Sequence, residues 1–130
     1  MTIETIGGAV CLPNGTAVPL SKAVRAGDFI LASGQLAFGT DGKIVEGGIA
    51  AQTRQCLESI KALLASVDAG MEDVARAAIW LTDTADFAAF NAVYAEYFPH
   101  NPPARSAVCS ALMLPDALVE IEVTVFKPQS

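Results

Sequence analysis

Apolar residues recur along this chain at two spacings, and the points where the spacing changes mark its elements. From Ile49 to Val67, the positions Ile49, Thr53, Cys56, Leu57, Ile60, Leu63, Leu64 and Val67 keep helical spacing, while Arg54, Glu58 and Lys61 fall on another face. An amphipathic helix is predicted there, with Gly70 placed as its C-cap glycine. A second helix is predicted after Asp83, which can cap the first turn, with Asp86 as a capping-box substitute. Phe87, Phe90, Val93, Tyr94, Tyr97 and Phe98 supply its buried stripe, and Pro99 and Pro102-Pro103 stop it.

The remaining apolar runs have strand character. Thr2 to Val10 alternates loosely, Pro13-Asn14-Gly15 reads as a turn, and Thr16 to Lys22 as a loop. Asp28 to Gln35 is apolar enough for a central strand, Thr40-Asp41-Gly42-Lys43 is turn chemistry, and Val74 to Leu81 follows the first helix as a strand. Arg105 to Met113 and Leu118 to Phe126 are joined by Leu114-Pro115-Asp116-Ala117, which predicts an antiparallel hairpin. The order β, β, α, β, α, β, β implies an α+β sandwich, a mixed β-sheet with two helices on one face, in one domain over residues 1–130. Strands such as Asp28 to Gln35 and Val119 to Val125 look apolar on both sides, so the uncovered face is expected to meet another subunit.

Composition narrows the function classes. The chain has 130 residues, net charge −6 and eight scattered basic residues, which argues against a nucleic-acid surface. No apolar run reaches the roughly 18 residues of a membrane span, and MTIETIGGAV lacks a basic n-region. A soluble cytoplasmic protein with no membrane partner is expected. Cys11, Cys56 and Cys109 fit neither a disulfide framework nor a CxxC zinc site, and with His100 the single histidine no metal is expected. Cys109, in an apolar strand, reads as a buried inert thiol.

Arg105 carries the sharper chemistry, and the glutamates of the last strand, an ordinary pair on an exposed strand face, come second. Pro102 and Pro103 restrict the backbone just before Arg105, and a guanidinium so placed either grips a carboxylate through two parallel hydrogen bonds or pairs with a surface acid. In the last strand Glu120 and Glu122 share a face, opposite Val119, Ile121, Val123 and Val125. Ala32-Ser33-Gly34-Gln35 lacks the GxSxG elbow, which disfavours a serine hydrolase, and Gly47-Gly48 has no phosphate-loop pattern around it.

The segments ASGQLAF, GGIAAQTRQCLESIKALLASVDAGMEDV, WLTDTADFAAFNAVYAEYFPHNPPARSAV and LPDALVEIEV together resemble the reactive-intermediate deaminase family, also called RidA or YjgF and formerly endoribonuclease L-PSP. The resemblance covers nearly the whole chain and implies a chorismate-mutase-like fold and a homotrimer with clefts between subunits. It also implies hydrolysis of enamines and imines such as 2-aminoacrylate and 2-iminopropionate to 2-keto acids and ammonia, with no metal or organic cofactor. By the same resemblance the carboxylate-binding arginine is Arg105, and the acid that handles water and protons is Glu120. Gly34 beside Ser33 and Asn91 of the second helix complete the set, with backbone N–H groups near Ala107 and Gly34 available to the substrate.

Two positions depart from the family pattern. Leu20 stands where a tyrosine is common and Ala107 where a cysteine is common. Leu20 would suit a more hydrophobic imino acid, whereas Lys22, if it faces the cleft, would suit a second carboxylate. In the predicted hairpin Glu120 faces Ala111, leaving Arg105 about 20 Å along the strand; a shared site then requires a register break or a subunit boundary. A carboxylate-binding module or chaperone-like protein and, less favoured, a ribonuclease are the alternatives to the deaminase.

Overall fold

The computed structural model describes residues 2–12 and 14–130, so the Pro13 position of the first expected turn lies outside the described residues. Six strands and two α-helices appear: β1 (Ile3–Ile6), β2 (Ala23–Ala26), β3 (Phe29–Ala32), α1 (Gly48–Ala65), β4 (Val74–Leu81), α2 (Phe87–Tyr97), β5 (Ala104–Cys109) and β6 (Val119–Phe126). They form one mixed sheet in the order β1-β2-β3-β6-β4-β5. Both helices lie on one of its faces, where α1 packs on β6 and on α2. This is the chorismate-mutase-like architecture that the resemblance implies.

β6 occupies the middle of the sheet, and its alternation explains why. Val119, Ile121, Val123 and Val125 are buried against the helices, while Glu120, Glu122, Thr124 and Phe126 point away. From α1 the facing stripe is Thr53, Cys56, Leu57, Ile60 and Leu64, all fully buried, which matches the helical period seen in the sequence. Gln52 fixes the approach to β6: its Nε2 donates to the Asp116 carbonyl at 3.0 Å, and its Oε1 accepts from the Leu118 N–H at 2.8 Å. Leu64→Ala or Ile60→Ala removes side chains with no room to collapse around, so each is expected to lower unfolding free energy by about 2–5 kcal/mol in denaturant titration.

Several boundaries differ from expectation. The first strand stops at Ile6 because Gly7 takes a φ of 83°, and an additional strand, Ala23–Ala26, pairs with both β1 and β3. Its four residues are too few to show a period of their own. Gly70 does not cap α1; it has an extended backbone and opens a single 3-10 turn, while the chain leaves α1 through Asp68 at a φ of 58°. Asp83 does cap, accepting from the Ala85 N–H at 2.8 Å, ahead of another 3-10 turn that leads into α2.

The expected hairpin does not form. β6 runs antiparallel between β3 and β4, whereas β5 crosses to the far side of β4 and pairs with it in parallel. Glu120 therefore faces Trp80 rather than Ala111. The physical reason is burial: β6 is apolar enough on one side to sit beneath α1, while β5 is exposed at every position except Arg105 and serves as an edge. Cys109 at the end of that edge is exposed, not buried as its apolar surroundings suggested, whereas Cys56 is fully buried. No helix among the described residues is long and apolar enough to cross a membrane.

Candidate functional site

Arg105 faces the helix layer. Its cross-strand partner is Ala77, a buried position under the helices, so the guanidinium rises from the edge strand toward α2. There it lies 4.9 Å from the ring centroid of Tyr94, 5.6 Å from Phe87 and 5.7 Å from Phe90, and its Nη2 donates to Asn91 Oδ1 at 2.7 Å. Helical spacing puts Phe87, Asn91 and Tyr94 on one side of α2, so the same turns that supply the aromatic bed supply the amide. Among the described residues, Nη1 of Arg105 and the Tyr94 hydroxyl are both buried without a partner. Arg105 and Tyr94, with Asn91, Phe98, Pro102 and Pro103, line a pocket of about 380 Å³. Burial pushes the Tyr94 phenol up, against the pull of the Arg105 charge.

A cation pressed against three π faces is attracted to each, yet a guanidinium has five N–H donors and the aromatic rings satisfy none of them well. With one hydrogen bond from its head among the described residues, Arg105 has donors to offer an anion. A fork-like carboxylate contact is what that donor geometry fits.

Glu120 stands on the other face of the sheet, next to the point where the chain leaves β3. Gln35 bridges Ile121 by paired backbone bonds of 2.7 and 3.0 Å, which draws Gly34 beneath the Glu120 side chain. A Cβ at Gly34 would overlap Glu120 Oε2 and stand 2.9 Å from its Cδ. Space, not an unusual φ, is what demands glycine here. Partial burial raises the Glu120 carboxyl above the usual carboxylate range, and the neighbouring Glu122 adds to the effect. Cys56, behind the strand on α1, is pushed up to about 12 by burial first and by the Glu120 charge second, so it is a thiol, not a nucleophile.

The loop residues join this second cluster. Ser33 Oγ donates to the Ser21 carbonyl at 2.6 Å, and the Ser33 N–H donates to the Lys22 carbonyl at 2.9 Å, so the segment holding Leu20 is tied to the Ser33-Gly34 step. Leu20 is exposed. The aliphatic stem of Lys22 packs over Gly7, where a Cβ would come within 2.9 Å of its Cδ. Ala107 is two positions beyond Arg105 on the same side of β5 and is exposed.

Arg105 and Asn91 thus form one cluster, Glu120, Gly34 and Ser33 another, and a single chain does not unite them. They occupy opposite faces of the sheet with β4 between their strands. That separation does not depend on the hairpin. Sequence reasoning missed two neighbours: Tyr94, read only as helix core, and Trp80, which pairs with Glu120 across β4 and β6. Helical spacing from Asn91 could have flagged Tyr94; no local pattern carries the register that brings Trp80 to Glu120.

The described residues contain no group of three or more His, Cys, Asp or Glu side chains arranged to hold a metal. The larger surface depression, about 500 Å³, is bounded by the exposed Arg54–Glu96 pair and by Tyr97, apart from both clusters.

Comparison with known proteins gives a consistent picture. The family model described as endoribonuclease L-PSP matches residues 13–127. A RutC family protein of Pyrococcus horikoshii is 44% identical over 110 residues, covering 84% of this chain and 87% of that protein. The 3-aminoacrylate deaminase RutC of Acinetobacter baylyi is 43% identical over 116 residues, covering 86% of this chain and 92% of that protein. Among solved structures, RidA from an Antarctic Psychrobacter superposes with a TM-score of 0.83 at 33% identity, covering 95% of this chain and 98% of that one. Yeast Mmf1 gives a TM-score of 0.85 at 30% identity, covering 97% and 99%. With a matching family model over most of its length and relatives well above 30% identity, the chain belongs to the endoribonuclease L-PSP family, the RidA/YjgF family.

Proposed function

We propose that the protein hydrolyses reactive enamines and imines of amino acids, of the 2-aminoacrylate and 2-iminopropionate type, to 2-keto acids and ammonia. The observation that carries this reading is Arg105, which lines a pocket and whose guanidinium, held among rings, has an Nη1 with no partner among the described residues, a receptor for a small carboxylate. The relative named as a 3-aminoacrylate deaminase adds support at the level of reaction class. The reading extends to a homotrimer in which Glu120 of one chain meets Arg105 of the next, because the two groups lie on opposite faces of their own sheet.

In this mechanism Arg105, aligned by Asn91, holds the substrate carboxylate and fixes the reacting carbon. Glu120, with its carboxyl raised by burial, retains a proton to higher pH than an exposed glutamate. It delivers that proton to the methylene carbon of 2-aminoacrylate, and the product is the iminium of 2-iminopropionate. The resulting carboxylate takes a proton from water as the water oxygen bonds to the iminium carbon. Glu120 then protonates the carbinolamine nitrogen, the C–N bond breaks as the hydroxyl proton returns to Glu120, and keto acid and ammonia leave. No metal or organic cofactor enters these steps.

The test is release of ammonia and keto acid from imino acid generated in situ, measured against its spontaneous hydrolysis. A rate equal to the spontaneous one at micromolar protein sinks the reading. RNA cleavage that is lost in Arg105→Ala, from a preparation showing no imine hydrolysis above the spontaneous rate, would favour the ribonuclease instead.

Gly34→Ala separates the site from the scaffold. The added methyl must displace the flexible Glu120 side chain, not backbone, so the melting temperature is expected to stay within a few degrees while kcat falls about a hundredfold. A variant with full kcat would show that the position of Glu120 above Gly34 is irrelevant to the chemistry.

A further inference from the structure

Beside Glu120, on the open face of the sheet, runs a row of side chains that the deaminase reading does not use. Glu120 of β6 pairs with Trp80 of β4, and Trp80 pairs with Val108 of β5, so the three project side by side from adjacent strands. Direct cross-strand partners have Cβ atoms about 4.5–5.5 Å apart, which places the indole against the carboxylate and the valine against the indole. The neighbouring open-face positions on those strands, Ala78 and Ser106, are small, and beyond them the Arg76 guanidinium donates to Ser106 Oγ at 2.9 Å and bounds the row on that side. Glu120 and Trp80 are partly exposed, and Val108 is half-exposed on the sheet edge. The result is an apolar shelf that begins at the proposed proton carrier and ends at the edge of the molecule.

We infer that Trp80 and Val108 form the side-chain subsite of the Glu120 centre, and that the preferred substrates are imino acids bearing bulky apolar or aromatic side chains. The inference rests on the deaminase reading and gives its substrate class. With the α-carbon beside Glu120, a one- or two-carbon substituent leaves most of the shelf in water. An isobutyl group, about 4 Å long, covers part of the indole, and a benzyl group, about 6 Å long, crosses it and brings its far edge toward Val108, two strand spacings or about 10 Å from Glu120. The apolar row is short: Glu122 and Thr124 follow Glu120 along β6, and Arg76 follows Ala78 along β4.

The experiment compares kcat/KM for imino acids generated in situ from leucine, phenylalanine and alanine, using wild type, Trp80→Ala, Trp80→Phe and Val108→Ser. Wild type is expected to favour the leucine and phenylalanine imines by about tenfold or more, a discrimination of the size that apolar pockets supply. Trp80→Ala should bring the ratio near unity, Trp80→Phe should keep most of it, and Val108→Ser, at a half-exposed site that tolerates change, should cost severalfold. Equal wild-type rates for the alanine and leucine imines, or an unchanged preference in both Trp80→Ala and Val108→Ser, would overturn the inference.

A second readout stands apart from turnover. Trp80 is the chain's single tryptophan, so its emission reports the shelf directly. Titration with 4-methyl-2-oxopentanoate should change the emission saturably, with a Kd about tenfold below that for pyruvate. If no imine is turned over, the deaminase reading fails, yet the titration still decides the subsite: equal affinities, or no change at millimolar ligand, would refute it.

Discussion

Arg105→Ala is expected to lower kcat/KM for 2-iminopropionate about a thousandfold, equivalent to about 4 kcal/mol of transition-state binding. The size follows from where the guanidinium sits. It is shielded by Phe87, Phe90 and Tyr94, hydrogen-bonded to Asn91, and short of partners at Nη1, so a bound carboxylate would meet it away from bulk water. Truncating one partner of a desolvated, hydrogen-bonded charge pair costs about 2–5 kcal/mol. Arg105→Lys should recover little, because an ammonium keeps the charge but loses both the donor fork and the flat contact with the Tyr94 ring. The checks are steady-state rates on freshly generated imine and the melting temperature of each variant. A folded Arg105→Ala protein within about threefold of wild type would remove the arginine from the mechanism.

How much of this was legible before the structure depends on the range of the signal. α1 was readable because its buried positions recur within one helix, and Thr53, Cys56, Leu57, Ile60 and Leu64 do face the core. The alternation of β6 was readable for the same reason. Long-range pairing was not. Two apolar runs separated by Leu114-Pro115-Asp116-Ala117 look like a hairpin, but β6 inserts between β3 and β4, and β5 becomes a parallel edge. Nothing local distinguishes these outcomes; the choice is made by which strand buries a full apolar face under α1. β2 escaped notice because AVRA is short and its Arg25 points to the backbone carbonyls of Gly27 and Lys127.

The same limit shaped the view of the site. Arg105 and Glu120 were both conspicuous in the sequence, as were Ser33, Gly34 and Asn91 through the family resemblance. What the sequence could not convey is the close approach of Gly34 to the Glu120 carboxylate, or the pairing of Trp80 with Glu120. Each arises from strand register. The separation of Arg105 from Glu120 was anticipated from hairpin arithmetic that the sheet order overturns; what divides them is the sheet itself, with one residue on each face.

Because of that division, mixed oligomers give the most decisive result. Arg105→Ala and Glu120→Gln chains should each be nearly inactive alone, yet regain roughly a quarter of wild-type activity when co-assembled at equal amounts. A quarter is the chance, under random mixing, that an interface combines the intact arginine of one chain with the intact glutamate of the other. No recovery in oligomers verified to contain both chains would place each site within one subunit and contradict the shared cleft. Stability supplies an independent check on Glu120. Its folded-state pKa is raised, first by burial, so its contribution to stability is fully present below the ordinary glutamate range and is lost as pH rises through the folded value. Glu120→Gln has no charge to bury, and so its melting temperature should match wild type under acid conditions and exceed it at neutral pH. Loss of activity together with that pH-dependent gain in stability would identify Glu120 as a group held in an unfavourable setting for the sake of its proton.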